Sequence, residues 1–380
     1  MTRPVKIARV QAWAMRCPIK TPVVTSFGIM TNRPTVFVRI EDDDGAFGWG
    51  EIFANWPAAG AEHRANLLKA DIADLLTGFS AEQPQDLFHH LRKETRIRAL
   101  QCGEPGPFRQ VIAGLDIALW DLFARRAGVP LRTFLHPQAP SHVPVYASGI
   151  HIDAAAEMID DARAKGFRNF KVKVGFDLNT DINGIQTLSG TLSAAETLAA
   201  DANQAWDVKT TQLFAKGVGA NDLQWLEEPI PAFSSLADWT ELAATVPIPL
   251  AAGENIAGYD DFDRVLANRH LKVVQPDLMK WGGVTGSYDI AGRILAQGAR
   301  YCPHYLGGAI GLAASAELLA AAGGDGVLEV DVNANPLREA FDVTQDRLRG
   351  PLWQCDAKPG LGIETLPDEL DRYVSVAIEI

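Results

Sequence analysis

The sequence has 380 residues, of which 47% are hydrophobic and 22% charged, the proportions of a folded globular protein. Its formal net charge of -12, from 47 acidic and 35 basic residues without a basic cluster, argues against nucleic acid or an anionic membrane as partner. No apolar run is long enough for a membrane span, the N-terminus lacks a signal-peptide core, and four scattered cysteines without a CxxC predict a reduced, cytoplasmic protein.

The first third of the chain predicts strands followed by helices. Alternating apolar and polar residues predict strands at about 5–13, 35–40 and 46–51. The acidic turn that ends in Asp44-Gly45 predicts a hairpin between the last two. Helical spacing predicts helices at about 60–78, 84–93 and 109–127. We therefore predict an α+β domain over residues 1–130, completed by the C-terminal tail at about 350–380.

From about residue 143, short apolar strands alternate with helices. The predicted strands are 143–149, 169–175, 196–202, 223–229, 248–254, 272–277, 299–304 and 326–331. The predicted helices between them include 153–165, 234–245, 258–268 and 284–298. This alternation predicts an α/β fold, a modified TIM (β/α)7β-type barrel over 131–349 under an N-terminal α+β capping domain. A doubly wound open sheet is the alternative, but its GxGxxG motif after the first strand is missing.

From the second strand onward, each predicted barrel strand ends in a residue able to do chemistry. These residues are Lys171, Lys173, Asp201, Glu227, Glu254, Asp277, His304 and Glu329. A single acid at a strand end is commonly a helix cap, but a set repeated once per strand–helix unit indicates a shared site. Because the C-terminal ends of barrel strands converge on one face, we expect all of these side chains in one pocket.

Three carboxylates from successive strands, Asp201, Glu227 and Glu254, predict a metal site. Oxygen-only ligands favour magnesium, and zinc fits less well because no histidines or thiolates cluster with them. Without a cation the three would repel one another. We expect Glu228 to point away from Glu227, since side chains alternate along a strand.

Two candidate bases come from opposite ends of the predicted barrel sequence. Lys171 and Lys173 share one face of a strand, so mutual repulsion should depress an ammonium pKa and leave one lysine as a base; a plain salt bridge is the alternative. Asp277 and His304 end adjacent strands, where a carboxylate can fix the imidazole tautomer. Glu329 is a candidate hydrogen-bonding acid toward a substrate carboxylate.

Other features have simpler interpretations. Lys280, past the end of its strand, is interpreted as a solvated lysine. The glycines at 282–283 and 307–308 are interpreted as tight turns leading into helices, with phosphate cradles as the alternative.

Several motifs together make the sequence similar to one family over nearly its whole length. They are Asp116-Ile117-Ala118-Leu119-Trp120-Asp121, Lys171-Val172-Lys173, Asp201-Ala202-Asn203, Trp225-Leu226-Glu227-Glu228-Pro229, Gly253-Glu254-Asn255, Pro276-Asp277-Leu278-Met279-Lys280 with Gly282-Gly283, and Pro303-His304. On these motifs the chain resembles the enolase superfamily. It resembles the mandelate racemase group within it, because Asp277 stands where the muconate lactonizing group carries a lysine and the seventh strand offers His304.

The resemblance implies roles for these residues. Asp201, Glu227 and Glu254 would hold Mg²⁺, Lys173 would be one base tuned by Lys171, His304 backed by Asp277 would act on the other face of the substrate, and Glu329 would stabilise the enolate. Cap loops around 25–34 and 51–64 would select the substrate. Most relatives with this set of catalytic residues are sugar-acid dehydratases, and others are racemases or epimerases.

We therefore expect magnesium-dependent removal of the α-proton of a small carboxylic acid, followed by β-elimination of water. A racemase or epimerase using the same two bases is the alternative. A non-catalytic binding module is disfavoured because the set of ligands and bases is complete. We also expect a homo-oligomer. The polar cap residues Thr25, Ser26, Thr31, Asn32 and Arg33 favour a hydroxylated substrate, while Phe27, Phe53 and Trp56 leave a hydrophobic one open.

Overall fold

The computed structural model describes residues 3–219 and 222–380. Its N-terminal part is an antiparallel sheet of β1 (Val5–Thr25), β2 (Gly28–Asp42) and β3 (Phe47–Ile52), with the short β4 (Ser80–Ala81) beside the start of β1. The predicted hairpin is confirmed: the Asp42 carboxylate accepts the backbone N–H groups of Asp44 and Ala46, and Gly45 adopts φ +82°. β1 runs past the predicted residue 13, because residues 23–25 pair again with β2 after a register shift.

Three helices cover this sheet. They are α1 (Gly60–Leu67), which continues as a π turn (Leu68–Ile72) and a 3₁₀ turn (Ala73–Leu75), α2 (Asp86–Gln101) and α3 (Pro105–Arg126). α3 lies so close to β3 that a Cβ at Gly48 or Gly50 would come within about 2.1 Å of the α3 backbone. The glycines of β3 therefore set the distance between helix and sheet. A short α4 (Leu131–Leu135) follows.

The predicted α/β barrel is confirmed. Its eight strands are β5 (His142–His151), β6 (Asn169–Lys173), β7 (Thr197–Asp201), β8 (Leu226–Glu227), β9 (Leu250–Ala252), β10 (Val273–Val274), β11 (Arg300–Tyr301) and β12 (Leu328–Asp331). β5 to β11 pair in parallel in chain order, and β12 pairs with β5.

Seven helices connect these strands, which gives the (β/α)7β order. They are α5 (Ala155–Lys165, preceded by a 3₁₀ turn, Ile152–Ala154), α6 (Leu178–Ser189), α7 (Val208–Val218), α8 (Leu236–Thr245), α9 (Tyr259–Asn268), α10 (Gly283–Ala296) and α11 (Ala309–Ala322). A short α12 (Pro336–Glu339) follows the last barrel strand.

The C-terminal tail contacts both sheets. β13 (Leu348–Arg349) and β14 (Leu352–Gln354) form a hairpin that extends the barrel sheet along the start of β5. After a 3₁₀ turn (Asp368–Tyr373), β15 (Val374–Glu379) joins the N-terminal sheet beside β1. The domain boundaries at 130 and 349 stay a prediction.

An apolar floor fills the inside of the barrel. It consists of Tyr146, Ala199, Trp225, Ala251, Val273, Cys302 and Val327, all buried. Since strand side chains alternate, the residues two positions further along each strand face the same interior, one layer nearer the C-terminal end. Across residues 3–219 and 222–380, no helix is both long and apolar enough to cross a membrane.

Candidate active site

The eight site residues predicted from the sequence all lie in the polar layer above the apolar floor or at its rim. Glu227 follows Trp225, His304 follows Cys302 and Glu329 follows Val327, each by two residues. In the register of the sheet, Lys173 lies opposite Asp201 and Asp201 opposite Glu227. The strand ends thus bring these side chains together, as the sequence predicts.

Each of the three candidate metal ligands accepts a hydrogen bond from a lysine ammonium group. Lys171 Nζ, 1% exposed, lies 2.8 and 2.9 Å from the two Glu227 carboxylate oxygens. Lys173 Nζ donates to Asp201 Oδ2 at 2.5 Å, and Lys280 Nζ donates to Glu254 Oε2. The lysines therefore stand where positive charge is needed to hold these carboxylates together.

The expected depression of the lysine pKa values is wrong for this state of the site. Burial alone would lower the pKa of Lys171, but Glu227 and Glu329 raise it well above its ordinary value. For Lys173, burial and Lys171 lower the pKa while Asp201 raises it further, and the net direction is upward. The carboxylates around the two ammonium groups outweigh the repulsion between them.

His304 bridges two acids. Its Nδ1 lies 2.7 Å from Asp277 Oδ2 and its Nε2 lies 3.1 Å from Glu254 Oε2. Burial would lower the pKa of His304, but Glu254, Glu329 and Asp277 raise it to about 9. These neighbours favour the protonated ring, which can donate to an acceptor at each nitrogen.

Asp277 and Glu329 are held by backbone N–H groups. Asp277 Oδ1 accepts from Met279 N at 2.8 Å, and Glu329 Oε2 accepts from Tyr305 N at 3.1 Å. Burial would raise the pKa of Glu329, but Lys171, 2.8 Å away, and His304 lower it to about 2. These neighbours favour the carboxylate form of Glu329, and its expected role as a hydrogen-bonding acid stays a prediction.

The charges and free oxygens of the site fit a hard divalent cation. In the described part of the chain, no three acidic, histidine or cysteine side chains are already drawn together closely enough to ligate one ion. Burial, and after it the nearby Glu254, raise the pKa of Glu228 to about 8. The buried Asn203 Oδ1, two residues after Asp201, has no hydrogen-bond partner. Carboxylate and amide oxygens are the ligands that magnesium prefers.

Comparison with known proteins identifies the family. Residues 153–369 match the family model "Enolase C-terminal domain-like", and residues 7–135 match "Mandelate racemase / muconate lactonizing enzyme, N-terminal domain". The chain belongs to the enolase superfamily. It falls in the mandelate racemase/muconate lactonizing enzyme subgroup, as the motifs predict.

Relatives of known structure or function cover nearly all of this enolase-superfamily chain. A crystal structure of a mandelate racemase/muconate lactonizing enzyme from Bordetella bronchiseptica RB50 is 45% identical, with a TM-score of 0.91 over 97% of this chain and 99% of that one. D-galactarolactone cycloisomerase of Agrobacterium fabrum is 28% identical over 97% of this chain and 98% of its own.

A dehydratase relative has a structure with metal bound. L-talarate/galactarate dehydratase of Salmonella typhimurium is 28% identical over 95% of this chain and 89% of its own. A crystal structure of an L-talarate/galactarate dehydratase variant, 26% identical with a TM-score of 0.85 over 100% of this chain and 94% of that one, contains Mg and L-glucarate. Racemases are also among the relatives. The protein is thus an enzyme of lyase or isomerase type that acts on a carboxylic acid.

Most of the polar cap residues form hydrogen bonds to other residues of the protein. Arg33, 2% exposed, donates to Asp331 Oδ2 at 2.6 Å, and Asn32 accepts from Arg16 at 2.7 Å. Ser26 Oγ lies 3.2 Å from the carbonyl oxygens of Ala202 and Asn203, which ties this cap loop to the barrel. Arg33 therefore joins the cap to the barrel and is not free to bind a substrate hydroxyl.

Sequence reasoning undervalued Lys280 and missed several polar partners. The interpretation of Lys280 as a solvated lysine is wrong, because it pairs with Glu254, lies 3.3 Å from Asn255 Oδ1 and sits over the Phe53 ring. Asn255 Nδ2 in turn donates to both oxygens of Glu228, which explains why Glu228 and Glu227 have different partners. The positions of Lys280, Glu228 and Asn255 at or near strand ends were visible in the sequence. The partners of these residues depend on how the loops fold.

His151 at the end of the first barrel strand was also missed. It lies opposite Lys173 in the register of β5 and β6, after a bulge, so both side chains face the same side. Its Nδ1 accepts the Asp153 N–H at 3.2 Å, and its ring lies 4.2 Å from that of Phe176. The predicted first strand ended at 149, within the bulge between Ala147 and Ile150, and so excluded this residue.

Proposed function

We propose that this enzyme removes the α-proton of a hydroxylated carboxylic acid and expels the β-hydroxyl as water, as a sugar-acid dehydratase. One observation carries the proposal: Lys173 and the His304–Asp277 pair enter the same polar layer from separate parts of the barrel wall, β6 and β11. Asp201, Glu227 and Glu254 lie at or just after the ends of barrel strands between β6 and β11. Glu329 belongs to β12, on the other side of β11.

Lys173 and His304 have complementary roles in this reaction, as base and as acid. Lys173, once neutral, takes the α-proton, and the electron pair of that C–H bond becomes the enolate. As the enolate collapses, the bond from the β-carbon to oxygen breaks, and His304 gives that oxygen the proton that turns it into water. Because the α-carbon of the substrate also carries a hydroxyl, the product of this elimination is an enol, which tautomerises to a 2-keto acid. The Asp277 carboxylate at Nδ1 stabilises the imidazolium before the transfer and fixes the ring orientation throughout.

We propose that Asp201, Glu227 and Glu254 hold magnesium. When bound, Mg²⁺ neutralises the charge that develops on the substrate carboxylate and the carboxylate charge that now keeps the lysine pKa values high. The unpartnered Asn203 Oδ1 and the metal in a related dehydratase structure support this choice.

Two relatives support a sugar acid as the substrate class. Their names refer to galactarolactone, talarate and galactarate, which are polyhydroxylated. We infer that His151 binds one such hydroxyl: because Nδ1 accepts from the Asp153 backbone, the proton of the neutral ring lies on Nε2, which can donate. Homo-oligomer formation stays a prediction.

A racemase or epimerase is the second candidate. The same two proton-transfer groups on separate sides would suffice, and relatives named as racemases favour it. Both candidates begin with the same proton removal.

The proposal is tested by incubating the enzyme with a library of acid sugars and N-acyl amino acids in deuterated water. We expect magnesium-dependent exchange of the α-hydrogen with at least one acid, lost on chelation and in Asp201→Asn. Calorimetry measures Mg²⁺ binding by the parent and the variant, and circular dichroism of both separates loss of metal from loss of fold. Full turnover after exhaustive chelation would contradict the metal assignment.

A further inference from the structure

Two helices begin at the active-site end of the barrel directly after the strands that lead to Asp277 and His304. They are α10, which starts at Gly283, and α11, which starts at Ala309. The first N–H groups of a helix lack partners inside it and attract anions. In this protein both N-termini are filled by carboxylates from the N-terminal part of the chain, Asp116 at α10 and Glu51 at α11. The glycine turns at 282–283 and 307–308 therefore lead into helix N-termini that bind an acidic side chain of the same chain and not a phosphate.

Glu51, at the end of β3, is fully engaged by donors. Its carboxylate accepts the N–H of Gly308 at 2.5 Å, the N–H of Gly311 at 2.8 Å and the hydroxyl of Thr35 at 2.6 Å, while the residue is 1% exposed. Gly308 lies four residues after His304. Glu51 thus anchors the segment that leads from His304 into α11.

The glycines of this segment leave room for a second contact, with the Asp277 strand end. A Cβ at Gly307 would lie 2.7 Å from Met279 Cε and 2.8 Å from Glu51 Oε1, and one at Gly311 would lie 2.2 Å from Met279 Sδ. Met279 donates its own N–H to Asp277 at 2.8 Å. Glu51 and Met279 therefore pack on the same turn, one from the cap and the other from the loop that carries Asp277.

Asp116 makes the equivalent contact on α10. It accepts the Thr285 N–H at 2.9 Å and the Thr285 hydroxyl at 2.6 Å. Gly283 has φ +56°, and a Cβ there would lie 2.3 Å from Asp116 Oδ2. Asp116 therefore fixes the helix that follows the Asp277 loop.

We infer that Glu51 is a positioning residue for the His304–Asp277 pair, assisted by Asp116. The inference rests on the proposed function, because it assigns this pair to one face of the substrate. Within residues 3–219 and 222–380, no hydrogen bond joins Glu51 or Asp116 to β6, which carries Lys173. A cap residue thus controls proton transfer on the His304 side and leaves the Lys173 side independent.

The test compares α-hydrogen exchange from the two faces in Glu51→Gln. A glutamine offers one oxygen to three donors, so the turn at 307–308 must shift. Misplacing a catalytic group by about 1 Å can cost roughly 10²-fold in rate, so we expect exchange through His304 to fall by about that factor. Exchange through Lys173 should stay within about twofold, since the geometry of that side is unchanged. KM should change little, because Glu51 is buried away from any substrate.

Asp121→Asn is the matched control. Asp121 is also buried and accepts two backbone N–H groups, those of Trp49 and Leu361, but its contacts stay within the cap and the tail. We expect this variant to keep the parental ratio of the two exchange rates. Thr35→Val, which removes one donor from Glu51, gives a milder variant if Glu51→Gln does not fold; it should shift the ratio in the same direction.

Amide hydrogen exchange gives a second readout that needs no substrate. Glu51→Gln should lose protection in residues 305–311, and Asp121→Asn should not. Equal loss of exchange on both faces, an altered ratio in Asp121→Asn, or unchanged protection at 305–311 would each overturn the positioning role. If the parent exchanges no acid at all, the proposed function fails, and the protection data alone decide whether Glu51 holds the His304 turn.

Discussion

At the scale of single residues, the site is a balance of buried charges. Three ammonium groups and one imidazolium face the carboxylates of Asp201, Glu227, Glu254, Asp277 and Glu329. Each lysine pKa is raised by acids that, in the proposed function, would bind metal. In the proposed function, Lys173 would therefore become a base only when other positive charge replaces it beside Asp201. Activity should rise with metal occupancy and not with pH alone.

The two proposed bases can be separated by substrate configuration. Lys173→Ala and His304→Asn should each lose α-hydrogen exchange with one configuration, because the groups approach from β6 and β11 and each acts as a base in its neutral form. Loss of one general base commonly costs about 10²–10⁴ in rate. The measurement is α-deuterium incorporation followed by NMR for each enantiomer or epimer. Full activity of either variant on every acid that the parent turns over would remove that residue from the mechanism.

His151 is predicted to affect binding and not the proton transfer. A neutral hydrogen bond contributes about 1 kcal/mol, so His151→Phe should raise KM about fivefold for acids that carry the recognised hydroxyl. For an analogue without that hydroxyl, KM should be unchanged. His142→Phe, at the exposed opposite end of β5, is the control. A fall in kcat at constant KM would contradict this role.

Residue identities in the site could be predicted from the sequence, but their charge states could not. The spacing of Asp201, Glu227 and Glu254 along the chain is enough to bring them to one face of a barrel. The pKa of Lys171 depends instead on Glu227 and Glu329, which reach it only through the closed sheet. The predicted role of Arg33 failed for the same reason, because its partner Asp331 is almost 300 residues away in the chain.

At the scale of secondary structure, periodicity located the barrel helices within a few residues. Predicted helices at 258–268 and 284–298 correspond to α9 and α10. Strands β8 to β11 were predicted too long, since their last residues leave the ladder to form the loops that hold the site. The bulge in β5 could not be predicted, because it depends on pairing with β6. This bulge places His151 opposite Lys173, at the rim of the polar layer.

One link between a helix and a strand predicts a measurable pH dependence. Glu196, just before β7, accepts from Arg163 of α5 at 2.7 Å, and hydrogen bonds from Arg163 lower the pKa of Glu196 to about 2. A carboxyl with a lowered pKa stabilises the fold above its unfolded value of about 4.5, and this contribution disappears as pH falls toward 2. Compared with a value of 4.5, this pKa corresponds to no more than about 3 kcal/mol.

Urea unfolding of the parent and Glu196→Gln between pH 7 and pH 3 measures this contribution. The variant should be less stable at pH 7, and the difference should begin to shrink below about pH 4.5. Glu157→Gln, at an exposed position of α5, should show little difference at any pH. A difference that stays constant down to pH 3 would show that the Arg163 pair does not set the titration.

At the scale of the whole molecule, the N-terminal sheet and the barrel are joined by buried charged contacts. Arg33 pairs with Asp331, Glu51 binds α11 and Asp116 binds α10, and all four acidic or basic groups in these contacts are at most 2% exposed. The mouth of the barrel receives more exposed residues from the same domain, with Phe27 packed edge-on against Trp56. The cap therefore has a rigid part that holds the catalytic strand ends and an exposed part that can meet substrate.

This arrangement leads to the final prediction, that the enzyme forms a 2-keto acid from a polyhydroxylated acid. Removing an α-proton produces a high-energy enolate that must either regain a proton or expel a β-substituent. In the proposed function, the protonated His304 ring, held by Asp277, donates to a β-hydroxyl on its side, so that water leaves before reprotonation competes. A keto-acid assay and polarimetry on the same acid-sugar library measure the two outcomes together. We expect keto acid to accumulate at the rate of α-proton loss, and His304→Asn to abolish it while Lys173-dependent exchange persists on any acid that Lys173 deprotonates. An acid that is epimerised efficiently without any keto acid would replace the dehydratase by the racemase and leave the proposed proton removal intact.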